Sequence, residues 1–276
     1  MEALLGELGR RIADRWLVQL VLPGLLWLAA AVTALTLGHA HALDGGRLLR
    51  RADLAAMAVP ARPVPIAVTI AAALALAALA GLAAQAAARA LQSIWVGQWR
   101  PPAAALGARL TARRAGDARA RYARPPFPER YLPARPTWIG DRLRLAGERV
   151  DAQYGLRLPV IWTALWQVMD DAARAPVRDA RDDFDQALRL AAWGVLHTAV
   201  GLAWWPGLLA GALTFAVAWR RGRDAAATLA DVVEATVDTH HRALAEALGV
   251  ALPHGRLTPA ESASINDLLH KGHSRP

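Results

Sequence analysis

Charged and apolar positions along this chain separate into long blocks rather than alternating. Residues 190–219 run for thirty positions without a formal charge, between Arg189 and the cluster Arg220, Arg221 and Arg223. As one straight helix that stretch would reach about 45 Å, against a hydrocarbon core of about 30 Å, so it is expected to fold back on itself. Trp204-Trp205-Pro206-Gly207 marks the bend: Pro206 cannot donate to a continuing helix and Gly207 suits a turn. The pattern predicts a helical hairpin with short arms. A single helix kinked at Pro206 would place Arg189 and the Arg220 cluster on opposite faces of a bilayer, against the tendency of arginine to stay inside.

Two earlier blocks share this character. Residues 16–38 carry no charge and follow Arg10, Arg11 and Arg15, so 1–15 reads as a cytosolic amino end and 16–38 as a first transmembrane helix. A signal peptide cleaved near Ala40-His41-Ala42 is the competing reading; the apolar run is longer than an ordinary signal core. Residues 64–88 form a second span. Thirteen of them are alanine and eight are Val, Ile or Leu, so the helix inserts weakly and favours protein neighbours, with Ala73, Ala77, Gly81 and Gln85 giving a small-residue face at i, i+4 spacing. Between the two spans, 39–63 reads as an external loop with helical character around Leu48, Leu49 and Leu54.

The remaining segments alternate apolar and polar residues at helical spacing. Residues 89–136 form a basic, proline-rich connector with a short helix over 103–122, and 137–189 a cytosolic helical domain. Leu143, Val150 and Tyr154 share one face there, with Gly155 placed as a C-cap. Ile161, Trp162, Leu165, Trp166 and Met169 form a second apolar stripe. A third helix is expected to open at Pro176 and carry Val177, Ala180, Phe184 and Leu188 straight into the first hairpin arm. Residues 220–249 continue the second arm as a cytosolic helix. Its seam of Leu229, Val233, Thr236, His240, Leu244 and Ala247 should pack antiparallel on the stalk at 176–189. Residues 250–276, with Pro253 and Pro259, read as a flexible tail.

The fold class that follows is all-α: a polytopic membrane protein with four transmembrane helices in two hairpins and a cytosolic helical domain continuous with the second. Arginine counting puts both termini in the cytoplasm of a bacterial plasma membrane and leaves only 39–63 and the Trp204 tip outside. The net charge is +9, and of 32 basic residues only Lys271 is lysine, which fits arginine bias from a GC-rich bacterial genome. There is no cysteine, hence no disulfide framework, thiolate metal site or cysteine nucleophile.

No phosphate loop, nucleophile elbow, HExxH pair or dinucleotide fingerprint occurs, so no catalytic residue, cofactor or metal is assigned. Two polar constellations stand as candidates. His197 lies midway along the first hairpin arm, opposite Leu213 or Thr214. It is either an intramembrane proton-relay site or a neutral imidazole satisfied by Thr214, Thr198 or Gln19. Asp231, Glu234, Asp238 and His241 line one helix face, which is either half of a metal site or a solvated face with local ion pairs. His39, His41 and Asp44 make a weaker metal candidate. Trp16, Trp95, Trp99, Trp193, Trp204, Trp205 and Trp219 read as an aromatic belt.

Three strings carry a resemblance: Pro136-Thr137-Trp138-Ile139-Gly140-Asp141-Arg142-Leu143, then Tyr154-Gly155-Leu156 followed by Trp162 and Leu165-Trp166, and Val237-Asp238 with His240 before Leu248-Gly249. They resemble a loosely defined bacterial membrane-protein family, commonest in actinobacteria, covering the second half of the chain with a fainter echo at Pro23-Gly24. The resemblance implies a multi-span protein with a cytosolic helical domain and no assigned activity.

Three functions are therefore open. The leading one is a non-enzymatic anchoring and interaction module, whose partners are anionic lipid headgroups and either a cytosolic protein or a second copy in a homo-oligomer. Nucleic acid comes last as a partner for the basic connector. The others are an oligomeric channel or pore-forming effector and, third, a lipid-modifying enzyme.

Overall fold

The computed structural model describes residues 21–58, 63–121 and 128–270, and among these it is all-helical, with no strand. Nine α-helices follow in order: α1 Leu22–Leu37, α2 Gly45–Ala58, α3 Pro63–Trp95, α4 Ala104–Arg121, α5 Trp138–Tyr154, α6 Leu158–Val168, α7 Asp171–Val200, α8 Trp205–Ala247 and α9 Pro259–Leu269. Two compact units divide the chain: Met1–Leu91 with Leu188–Trp219, and Gln92–Ala187 with Arg220–Pro276.

In the first unit, helices meet through residues too small to hold them apart. A Cβ on Gly24 of α1 would lie 2.1 Å from the carbonyl oxygen of Ala77 on α3, so backbone touches backbone there. Ala77, Ala80, Gly81 and Ala84 form the buried stripe of α3, the expected small-residue face displaced slightly towards Ala80 and Ala84. Its opposite face leaves Val64, Val68, Ile70, Leu76 and Leu79 exposed. One helix among the described residues, over Val64–Trp95, is long and apolar enough to cross a membrane; Leu22–Leu37 is apolar but shorter.

Residues 190–219 do fold back. α7 ends at Val200, a turn over 201–204 follows, and α8 opens at Trp205 with Pro206 in its first turn, where a missing N–H costs nothing. The arms close on glycine: a Cβ on Gly194 would lie 2.8 Å from the Phe215 nitrogen, and one on Gly211 would lie 2.4 Å from the Thr198 nitrogen. Three aromatic N–H donors tie the hairpin to α1 and the loop after it. Trp27 Nε1 donates to the Leu196 carbonyl at 3.0 Å, His39 Nε2 to Leu202 at 3.0 Å, and Trp204 Nε1 to Ala42 at 2.8 Å. His39 is thereby spent on the turn rather than offered to a metal. The loop at 39–63 proves half helical, because α2 spans Gly45–Ala58, begun by the Asp44 carboxylate accepting from the Arg47 amide at 2.8 Å.

The second unit has a conventional core: Leu156, Ile161, Leu165, Val177, Val237 and Leu244 are buried together. Thr137 caps α5 by accepting from the Gly140 amide at 3.1 Å, and Gly155 ends it in the left-handed conformation at φ 67°.

Three expectations need correction, and a fourth is refined. The helix expected to open at Pro176 opens at Asp171, because Asp170 caps it by accepting from the Ala173 amide at 2.8 Å; Pro176 lies inside the helix. Trp95 is no belt residue: it is 2% exposed and packs edge-on to Phe184, with ring centroids 6.3 Å apart. The connector expected over 89–136 divides between the units: 89–91 belong to the first, and its described residues from Gln92 onward belong to the second. The expected flexible tail at 250–276 contains α9, with Ile265 fully buried.

That last helix is held by chemistry a tail would lack. Asn266 bridges the turn after α5, its Nδ2 donating to the Gly155 carbonyl at 2.8 Å while its Oδ1 accepts from the Arg157 amide at 3.0 Å. Thr258 and Glu261 form a reciprocal capping box. The bonds from Thr258 hold the Glu261 carboxyl below its ordinary value of 4.5, so the capping contribution is present above that value and is lost as pH falls through the lower folded one. Amide protection factors in α9, which remove the intrinsic slowing of exchange in acid, should therefore fall on acidification before those in α5 do, and Glu261→Gln should abolish the pH dependence of that difference.

Candidate functional site

The polar face Asp231, Glu234, Asp238 and His241 is one half of a lock between α8 and α5. Arg142 donates to both Asp231 and Glu234, the latter at 3.1 Å, and Arg149 donates to the two oxygens of Glu234 at 3.0 and 3.2 Å. Further on, the Tyr154 hydroxyl donates to Asp238 at 2.8 Å and accepts from Gln153 at 2.8 Å. His241 lies over the Tyr154 ring at 4.6 Å, with its Nδ1 donating to the Val237 carbonyl at 3.0 Å. Residue numbers rise together on both sides, so α5 and α8 run in the same direction. The ion pairs are between helices rather than local to one, and each carboxylate already faces a cation or hydroxyl. Among the described residues no cluster of three His, Asp or Glu is placed to hold a metal.

Burial, followed by the hydrogen bond and negative charge of Asp238, pushes the Tyr154 hydroxyl above its ordinary 10.0. It stays a neutral donor near pH 7 and is unsuited to act as a base. Its contribution to stability is present below 10.0 and is lost as pH rises through the elevated value. With Tyr122 and Tyr131 replaced by Phe, ultraviolet titration should show Asp238→Asn moving tyrosinate formation to lower pH; an unmoved curve would separate the two residues.

In the first unit, His197 and Thr214 are not joined. His197 Nδ1 donates to the Trp193 carbonyl, one turn back on its own helix, at 2.8 Å, and Thr198 donates to the Gly194 carbonyl at 2.9 Å. The register set by Gly194 against Phe215 and Gly201 against Leu208 brings Ala212, not Leu213 or Thr214, opposite His197. Both His197 and Thr214 are half-buried. Gln19, the third member of that candidate site, lies outside the described residues.

Sequence reasoning missed an open concavity of the second unit. A groove of about 830 Å³ lies among α5, α6, α7 and α8, with Trp162, Trp166, Leu143, Val177, Leu229 and Val233 among its lining. Leu229 and Val233, expected to close directly on the stalk, line this groove together with Arg178, Arg181 and Asp182 of α7. The stalk and α8 do share one core lower down, through Val177, Val237 and Leu244; Ala247, the last expected seam residue, is exposed. The Trp162 and Trp166 rings stand 6.1 Å apart, and the Arg174 guanidinium lies 5.7 Å from the Trp166 ring. The available signal was the i, i+4 spacing of two tryptophans on a short helix, which reads equally well as core. Half-buried tryptophan beside arginine is the composition of a binding hot spot.

Neither a protein-family model, nor a curated protein, nor a solved structure matches this chain.

Proposed function

We propose that this chain is an integral membrane module without enzymatic activity, whose second unit stands in the cytoplasm and takes a protein partner, or a second copy, on the tryptophan groove. The observation that carries the membrane part is the exposure of large apolar side chains throughout the first unit: Leu35 at 82%, Leu202 at 83%, Leu213 at 68% and Val64 at 71%. Such a surface is far more apolar than water tolerates and suits lipid. On this reading 16–38, 64–88 and the two arms of 190–219 cross a bacterial plasma membrane, and both termini are cytoplasmic.

The groove supports the interaction part. Its volume falls in the range of sites that bury a ligand or a few anchor side chains, and its half-buried tryptophans pack against the main core on one side and line the groove on the other. The test is a photo-crosslinking amino acid at position 163 of the full-length protein, with a second at the exposed Glu246 as control. A defined adduct at 163 alone, lost in a Trp162→Ala/Trp166→Ala variant that keeps its helicity, is the expected outcome. Equal crosslinking at both positions, or none at 163, would remove the groove as the docking face.

A further inference from the structure

We infer that the outward face of α4 lies on the anionic headgroups of the cytoplasmic leaflet, a partner assignment that rests on the membrane reading above. α4 follows the end of α3 by eight residues, 96–103. Its inner side is fixed: Gly107 and Ala115 are buried, and Trp99 packs over Gly107. The helix carries five arginines and one carboxylate, Asp117. Arg114 turns inward to Asp141 at 2.6 Å. Arg109, Arg113, Arg119 and Arg121 are exposed and form no ion pair with any described residue.

Leu106, Arg109, Arg113 and Ala120 fall on one line of the helix surface, with Leu106 54% exposed. A row of unneutralised arginines beside one exposed leucine, next in sequence to a membrane span, complements a negatively charged bilayer surface. The arginines supply attraction to phosphates, and Leu106 enters the interface shallowly. No aromatic residue occurs in α4, so it offers none of the stacking platforms by which single-stranded nucleic acid is held.

The natural absence of cysteine makes the test direct. Gly116 has open space around a built Cβ, so Gly116→Cys can carry an environment-sensitive fluorophore, with Leu79→Cys as a separate reporter on α3. The full chain is placed in nanodiscs of phosphatidylcholine alone or mixed with phosphatidylglycerol. The residue-116 probe should shift to the blue and resist acrylamide only in the anionic discs, and about 1 M salt, where screening acts within about 3 Å, should reverse it. Arg109→Gln with Arg113→Gln should lower the docking equilibrium constant about 25-fold, at about fivefold per arginine.

The same response in both lipids, or one untouched by the double substitution while the residue-79 probe reports lipid, overturns the assignment and leaves the membrane reading standing. A residue-79 probe in water in every disc sinks both. A shift with single-stranded RNA in neutral discs as large as that with phosphatidylglycerol would make the face a nucleic-acid site instead.

Discussion

Asp141→Ala should be the most damaging single substitution in the second unit, costing about 3–5 kcal/mol. Asp141 is 5% exposed, and almost everything around it donates. One oxygen accepts from the amides of Ala134 at 2.8 Å and Arg135 at 3.0 Å, while the other accepts from Arg114 at 2.6 Å. Arg144 approaches at 3.4 Å and also donates to the carbonyls of Arg130 at 2.9 Å and Leu132 at 2.7 Å. One carboxylate thus fixes the end of a proline-rich connector, an arginine from α4 and an arginine from α5. Truncation leaves two amides and two guanidiniums without their acceptor, which is worse than losing the attraction alone. Thermal unfolding of the purified full-length protein should show a large drop, with amide exchange in 128–136 rising first. Asp141→Asn keeps an acceptor for the amides and should fall between. A wild-type melting point in both variants would mean that the connector is held by something else.

Gly211→Leu should be the most damaging change in the first unit. Its Cβ alone would sit 2.4 Å from the Thr198 nitrogen and Oγ1, and 2.7 Å from the Gly194 carbonyl oxygen. Backbone atoms cannot swing aside as a side-chain tip can, so the arms must part. Overpacking of this kind costs about 1–3 kcal/mol for added methylenes, and a clash with main chain lies at the upper end. The neighbouring Ala212 is exposed, so Ala212→Leu is the matched control and should leave the unfolding free energy within about 0.5 kcal/mol of wild type. Equal effects at 211 and 212 would argue against a glycine-tight hairpin.

What could be read in the sequence was what a single residue or a short period fixes. Pro206 after paired tryptophans announced the bend, Gly155 the end of α5, and the spacing of Val177, Ala180, Phe184 and Leu188 the buried face of α7. What could not be read depended on distant partners. Pro136-Thr137-Trp138-Ile139-Gly140-Asp141 stood out as a string, but that Asp141 would collect donors from three segments is invisible until the chain is folded. The polar face of α8 was visible as a periodicity, yet its meaning lay in Arg142 and Tyr154 on another helix. α9 was passed over because only Ile265 and its neighbours are apolar anchors, and its docking adds hydrogen bonds between Asn266 and the turn at Gly155 and Arg157 and from the Ser262 hydroxyl to the Tyr154 carbonyl. The groove was hidden because Trp162 and Trp166 have the same spacing whether buried or open.

The membrane reading turns on which side of the bilayer the chain stands after the bend. Single cysteines at positions 43, 108, 202 and 228, all exposed, can be probed with a membrane-impermeant maleimide in spheroplasts and in inverted vesicles. The account requires 43 and 202 to react only from outside and 108 and 228 only from inside. Labelling of 108 and 228 from opposite sides would contradict it.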